Sequence, residues 1–285
     1  MSRRVYLVAL AALALLLPAS LASADPDPTY RTITKADAAR AIELKAPVPD
    51  WYTPSLHAKV VAAGKQGKSV PLPKGVNVPA SSLAFTGIRP GAWIIFPAGC
   101  TTNFVFGGGT TIGTAGHCVS PGDEVTLIAA PGVLMNIGTA SMSVDRGIGD
   151  DFGLISIYPE MQQYVNPSMS YFAGPTGAGN PAFGDAIVHS GHGLVVGTGG
   201  TPRAGVVTYR GPGDGGDAFG WDGLAAPGDS GSAVRNATGL AAGNLTHLVV
   251  GTAYAPAFIA GTTIARMQGY AGAVTTASLT PDPLW

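Results

Sequence analysis

The chain has 285 residues, a formal net charge of −1, 46% hydrophobic residues and only 12% charged ones. That balance excludes a disordered polymer, and without a cationic surplus there is no electrostatic basis for binding nucleic acid. The length suits one large all-β domain, or two smaller ones, with additional segments.

The first element is a secretory signal over residues 1–24. Arg3 and Arg4 precede the apolar run Val5 to Leu17, and Ala22-Ser23-Ala24 is a small-residue cleavage site. The apolar run is short for a membrane span, no later stretch replaces it, and no cysteine follows the cleavage site to carry a lipid. A secreted, extracellular protein, free of the membrane after signal removal, is expected.

Residues 25–80 form an N-terminal extension of different composition. All six lysines lie between Lys35 and Lys74, whereas 39 of the 41 glycines lie at or beyond residue 75. From 25 to 74 eight Lys or Arg face five Asp or Glu, a net +3. From 75 onward six Arg face twelve acids, a net −6, so the two parts are expected to attract. Lys35 to Lys45 is rich in helix formers, with Thr34 or Asp37 placed to cap it, and Leu56 to Ala63 is a second expected helix. Ser69 to Pro79, with Pro71, Pro73 and Pro79, reads as an extended linker.

From about Ser81 short apolar runs alternate with Gly, Pro, Asn and Asp. Strands are expected at Ala92 to Phe96, Asn103 to Phe106, Glu124 to Ala129 and Phe152 to Tyr158. Further ones are expected at Ala186 to His189, Gly205 to Tyr209, Gly231 to Val234 and Leu245 to Ala253. This pattern suits an antiparallel sandwich or a pair of barrels, closed by a helix over Thr262 to Tyr270. Cys100 and Cys118 are the only cysteines. In an exported chain they read first as one disulfide, worth roughly 3 kcal/mol by loop closure, and their spacing matches no zinc motif.

Three stretches carry chemistry. Pro227-Gly228-Asp229-Ser230-Gly231-Ser232 puts a serine between glycines, either as a surface turn or as a nucleophile whose neighbouring Gly228 and Ser230 N–H groups hold an oxyanion. Thr114-Ala115-Gly116-His117-Cys118 fixes a histidine beside a cysteine, as a structural residue or as a proton carrier. Gly149-Asp150-Asp151-Phe152-Gly153-Leu154-Ile155 places Asp151 against an apolar strand, where a carboxylate needs a partner; Asp150 and Asp145 are expected in solvated loop. His189 and His192 flank a glycine-rich turn and are expected at the surface.

In their order His, Asp, Ser, these stretches resemble the chymotrypsin-like serine peptidases of the bacterial secreted type, over about Gly87 to Tyr270. The resemblance implies two antiparallel six-stranded β-barrels with a C-terminal helix, preceded here by the partly helical extension. It implies a secreted serine endopeptidase domain over 81–285, with His117 as general base and acid, Asp151 orienting it and Ser230 attacking the carbonyl. Gly228 and Ser230 N–H groups form the oxyanion hole, Cys100–Cys118 closes the histidine loop, and Asp229 shapes the oxyanion loop by pairing with an arginine or a new N-terminal amine. Leu224, six residues before Ser230, corresponds to the base of the specificity pocket and implies an apolar or small residue before the scissile bond. Thr246 and His247 lie on the strand walling that pocket, where His247 is an alternative recogniser of a glutamate side chain. A monomer acting on protein or peptide substrates is implied, with no metal or cofactor, and residues 25–80 read either as an intramolecular pro-segment or as a permanent N-terminal arm. The alternatives are a catalytically silent relative that binds a protein partner and an esterase using the same triad.

Overall fold

In the computed structural model, which describes residues 30–76, 78, 86–130, 132–193, 201–211 and 217–280, the helix-forming run after Thr34 lasts a single turn. β1 (Arg31–Thr32) leads into α1 (Lys35–Ala38). The Thr34 hydroxyl accepts from the Asp37 N–H at 3.2 Å, and the Asp37 carboxylate accepts from the Thr34 N–H at 2.8 Å, a reciprocal cap. Arg40 ends the turn, its guanidinium donating to the Ala36 carbonyl at 2.9 Å. The remainder of the expected helix is instead a strand, β2 (Ala41–Glu43), because an open sheet edge offers it backbone partners. Propensity differences of a few tenths of a kcal/mol per residue do not outweigh such pairing. The second expected helix forms as α2 (Pro54–Gly64), capped by Thr53, and β3 (Val70–Pro71) follows.

The body begins with β4 (Trp93–Phe96), β5 (Cys100–Thr101), β6 (Val105–Phe106), β7 (Thr111–Thr114), β8 (Glu124–Ala130), β9 (Val133–Asp145) and β10 (Asp151–Ile157). Their order in the first sheet is β5-β4-β8-β9-β10-β7-β6. β5 and β6 are consecutive pieces of one broken strand, so the order closes on itself as a six-stranded antiparallel barrel. The second half contains β11 (Gly177–Ala178), β12 (Ala186–Gly191), β13 (Thr201–Arg210), β14 (Ala218–Asp222), β15 (Ala233–Asn236), β16 (Leu240–Asn244), β17 (His247–Val249) and β18 (Phe258–Thr262). Here β16 and β17 are the broken strand: β16 pairs with β15, β17 with β18, and a second six-stranded ring closes through β12, β13 and β14. Helix α3 (Ile264–Ala271) ends the fold.

Each half has its own apolar centre, around Ile94, Leu127 and Ile155 in the first and Phe219, Trp221 and Leu245 in the second. A third cluster joins them, with Phe104, Phe106 and Phe152 packed with Ala233, Ile264 and Met267. Seven strands of the body escape the sequence pattern: β5 and β11, only two residues each, and β7, β9, β14, β16 and β18, whose apolar runs are interrupted by Gly, Ser or Thr. The expected strand Leu245 to Ala253 shortens to β17, and Gly231 to Val234 becomes strand only from Ala233.

The extension is built into both sheets. β3 adds antiparallel to β9, β1 parallel to β13 and β2 antiparallel to β17. Tyr52, Val60 and Val70 are buried with Trp93, Ile95, Ile128 and Leu134 of the first half. Among the described residues one ion pair joins the extension to the acidic body, Lys65 to Glu124 at 3.0 Å, while Lys45 pairs with Glu43 of its own segment, and Arg40 and Lys45 reach only backbone carbonyls of the body, those of Val250 and His117. Apolar packing and strand addition therefore attach the extension more than charge does. The signal segment and the expected boundary near residue 80 lie outside the described residues. Among the described residues no helix is long and apolar enough to cross a membrane.

Candidate active site

The end of β7, the start of β10 and the turn before β15 converge where the two barrels meet. His117 follows β7 on a short 3-10 turn, and Cys118 beside it is bonded to Cys100. Gly116 runs so close to β9 that a Cβ there would stand 1.9 Å from the Val144 carbonyl oxygen. Asp151, fully buried, opens β10; its own backbone is tied to the second barrel by the Thr262 hydroxyl and by the Asn244 amide, which donates to its carbonyl at 3.1 Å. Ser230 is equally buried, and its carbonyl accepts from the Thr101 N–H at 2.8 Å, which fixes the serine turn to the first barrel.

Between these anchors the side chains form one line. The Asp151 carboxylate can only accept, so His117 Nδ1–H donates to Asp151 Oδ2 at 2.6 Å. His117 Nε2 is then free to accept, and Ser230 Oγ lies 2.7 Å from it. The other carboxylate oxygen, Asp151 Oδ1, accepts from the Gly116 N–H at 2.5 Å and the His117 N–H at 3.3 Å, which holds the pair in register.

Beside Ser230 two backbone donors aim at one point. Gly228 has φ +109°, a conformation that favours glycine, and with it the N–H groups of Gly228 and Ser230 face the same side. A carbonyl oxygen occupies that point, and it belongs to Leu44 of the extension. The Leu44 oxygen accepts from Gly228 N–H at 2.5 Å and Ser230 N–H at 3.2 Å. The Leu44 N–H lies 3.0 Å from Ser230 Oγ and 3.3 Å from the Thr246 carbonyl.

Comparison with solved structures gives several likenesses of fold. The chain is similar to Thermobifida fusca protease A (21% identity, 68% of this chain and 100% of that one, TM-score 0.49). It is also similar to Cellulomonas bogoriensis chymotrypsin (18% identity, 70% and 99%, TM-score 0.46) and to Nocardiopsis protease (18% identity, 67% and 97%, TM-score 0.45). The two six-stranded antiparallel rings, with the site at their junction, are the double-barrel architecture that the sequence resemblance implied. Neither a protein-family model nor a curated protein matches it.

The surrounding residues refine the sequence reading. Asp229 is fully buried, and its cationic partner is Arg203, which donates to Oδ2. The Ala226 and Gly193 N–H groups complete its shell at 2.8 Å each. Since no lysine follows residue 74, the six arginines beyond it were the side-chain candidates for this role. Leu224 does not form the base of a pocket: it is 79% exposed, because the chain turns outward between β14 and the serine turn. The apolar pocket holds Leu44 instead, itself 1% exposed and clustered with Phe219, Trp221, Leu245 and Ala225.

Thr246 contributes its carbonyl to the cleft, while its hydroxyl bonds the Ala260 carbonyl at 3.3 Å. His247 points toward the triad rather than into the pocket, 3.7 Å from Asp151 and edge-on to His117, and burial lowers its pKa against the opposing pull of Asp151. Ring nitrogens of His247 and His117 and a carboxylate oxygen of Asp151 make the one three-ligand group among the described residues, but His117 and Asp151 already bond each other there. Asp150 is not in solvated loop. It is buried against Arg266 at 2.7 and 2.8 Å and Tyr270 at 2.6 Å, and the bond from Arg266, against burial, holds its carboxyl below the usual range. Asp150 thus clamps α3 beside Asp151, whereas Asp145 is exposed as expected but ends β9, opposite Asp151, instead of lying in a loop. His189 and His192 are also interior, packed against Trp221 and Trp93, and burial lowers both to about 4.

Proposed function

We propose that the protein is a secreted serine endopeptidase that works through an acyl-enzyme on Ser230. The observation that carries the reading is the convergence of the Asp151–His117–Ser230 line with two N–H donors on one peptide carbonyl. In this reading Ser230 Oγ attacks the carbonyl carbon while His117 Nε2 takes its proton. Asp151 keeps the Nδ1–H tautomer and stabilises the imidazolium, and Gly228 and Ser230 N–H groups hold the oxyanion. His117 then protonates the leaving nitrogen, and water releases the acyl group by the reverse relay. An oxyanion donor of this kind contributes about 3–4 kcal/mol to the barrier reduction in a related site. The apolar surroundings of the Leu44 side chain support a preference for an apolar residue before the scissile bond.

A fluorophosphonate probe tests the chemistry. Ser230 of the processed protein becomes labelled at pH 8 and Ser230→Ala does not. Folded, processed protein that stays unlabelled favours a silent binding protein.

A further inference from the structure

The residues on either side of Leu44 follow the rules of a bound substrate. Upstream, β2 is an added antiparallel strand on the free edge of β17, with Glu43 opposite His247, Ile42 opposite Leu248 and Ala41 opposite Val249. The ladder continues at Leu44, whose N–H meets the Thr246 carbonyl. Downstream, Ala46 exchanges both backbone bonds with Gly99, Ala46 N–H to Gly99 O and Gly99 N–H to Ala46 O, each at 2.8 Å. Gly99 adjoins the disulfide of the histidine loop, so the segment is gripped by the second barrel before residue 44 and by the first barrel after it. Between the two grips the Leu44 carbonyl is polarised by Gly228 and Ser230 N–H groups, and the nucleophile lies beside it. The peptide bond held across the triad is Leu44–Lys45.

We infer that residues 41–46 are this enzyme's own first substrate: the cleft selects a leucine-type side chain, and Ser230 cuts Leu44–Lys45 within the same molecule. The inference rests on the endopeptidase reading and deepens it by naming the bond and the side chain. Ser230 Oγ bonds to the Leu44 carbonyl carbon as its proton passes to His117. The C–N bond then breaks and His117 gives that proton to the Lys45 nitrogen, now a free amine. A water molecule next attacks the Leu44 ester, its proton going through His117 to Ser230 Oγ as the ester bond breaks. The products are a chain ending in the Leu44 carboxylate and a protein beginning at Lys45. Until the upstream product leaves, it covers the oxyanion donors and the β17 edge, so the uncut chain is self-blocked.

The position of the cut differs from a pro-segment removed up to residue 80. Beyond Lys45, α2 and β3 pack on the first barrel with Val60 and Val70 buried, and these stay with the enzyme. Side-chain identity is the discriminating feature. Leu44 is surrounded by apolar groups and no counter-charge, whereas Glu43 and Lys45 on either side are partly exposed and pair with each other at 2.8 Å.

The test is to produce the full chain as parent, Ser230→Ala and Leu44→Asp, and to read N-termini by mass spectrometry over time. The parent is expected to yield a new terminus at Lys45 at a rate independent of protein concentration. Ser230→Ala, which deletes only an oxygen, remains joined across that bond. A carboxylate in the apolar pocket is expected to slow the cut by about 100-fold or more, and Leu44→Ala, which adds no charge, to slow it less. Fluorophosphonate labelling of Leu44→Asp, whose carboxylate drives the strand and its carbonyl off the oxyanion donors, reports the nucleophile separately. Labelling there with the parent intact at Leu44–Lys45, or cut elsewhere, overturns this inference and leaves the endopeptidase reading standing. Absence of labelling in Leu44→Asp, folded as judged by circular dichroism, overturns the endopeptidase reading itself and this inference with it.

Discussion

Replacing Arg203 by methionine leaves the Asp229 carboxylate buried with its cation gone. Asp229 is wholly inaccessible and the Arg203 side chain is only 10% exposed, so solvent screens the pair little. Breaking such a pair by removing one partner costs about 3–5 kcal/mol. Two N–H donors, from Gly193 and Ala226, still serve the carboxylate at 2.8 Å, which argues for the lower end, about 3 kcal/mol. At about 2–4 °C per kcal/mol for a domain of this size, Tm falls by roughly 6–12 °C in Arg203→Met. Activity falls further than stability explains, because Asp229 links Gly228 to Ser230 and a shifted Asp229 misaims an oxyanion donor, worth about 100-fold or more in kcat. The assay is thermal unfolding by circular dichroism with peptide turnover well below Tm. The partner experiment is Arg203→Met/Asp229→Asn. Removing the charge as well restores part of the lost stability, although the new amide faces the Ala226 N–H, and the cycle shows at least about 1 kcal/mol of coupling. An Arg203→Met protein melting within about 2 °C of the parent, or a double variant no better than the sum of the singles, refutes the role given to the pair.

Other outcomes follow from the same geometry. Asp151→Asn keeps the fold but favours the wrong imidazole tautomer, and kcat for peptide hydrolysis is expected to fall by about 10,000-fold. His189 and His192 are held near 4 by burial, below the 6.5 of a free imidazole, so the unfolded chain binds more protons between those values. Stability from their neutral burial is complete above pH 6.5 and is lost as pH falls toward 4, by roughly 3 kcal/mol for each. Urea midpoints measured from pH 7 to pH 4.5 should therefore fall less steeply in His192→Phe, and an unchanged slope would contradict the assignment. A chain beginning at Lys45 gives up the burial of Ile33 and Leu44, and one beginning at Pro79 also loses Tyr52, Val60 and Val70 from the first barrel's surface, so the second is expected to melt lower. At about 1.5–3 kcal/mol per buried side chain, that loss is on the order of 5–8 kcal/mol, and equal melting temperatures for the two would show that the packing is dispensable.

The residues of the candidate site are legible in the sequence because each must be locally marked. A serine approached by backbone needs glycines around it, His117 adjoins a cysteine, and Asp151 is an acid where apolar residues belong. Those marks are local in sequence and survive without knowledge of the fold. What escaped reading depends on contacts across the chain. Asp150, between Gly149 and Asp151 and outside the apolar run, reads as solvated until Arg266 and Tyr270 are brought to it from α3. His192 lies between two glycines and His189 two residues before one, yet β12 and the residue after it carry them inward against two tryptophans. Leu224 was placed by counting back from Ser230, and counting fails where the loop between β14 and the serine turn has its own path.

The segment 35–45 shows the same limit from the other side, and it was the costliest to misread. Its composition favours helix, and the first turn obeys. The alternation Ile42, Glu43, Leu44 and the prolines at 47 and 49 are the strand signals within it, but three residues of alternation weigh little against a run of alanines. The deciding partner is the edge of β17, some two hundred residues away. Once paired there, Leu44 must point into the second barrel and its carbonyl toward Gly228, because a strand's side chains alternate and register is fixed by the ladder. Ile42, 48% exposed, shows the cost of the same register for its neighbour two residues back. A substrate needs that edge, that pocket and those donors in the same order. On the proposed reading, residues 41–44 and any substrate are alternatives for one site, and access of other proteins to it is set by how readily this strand leaves.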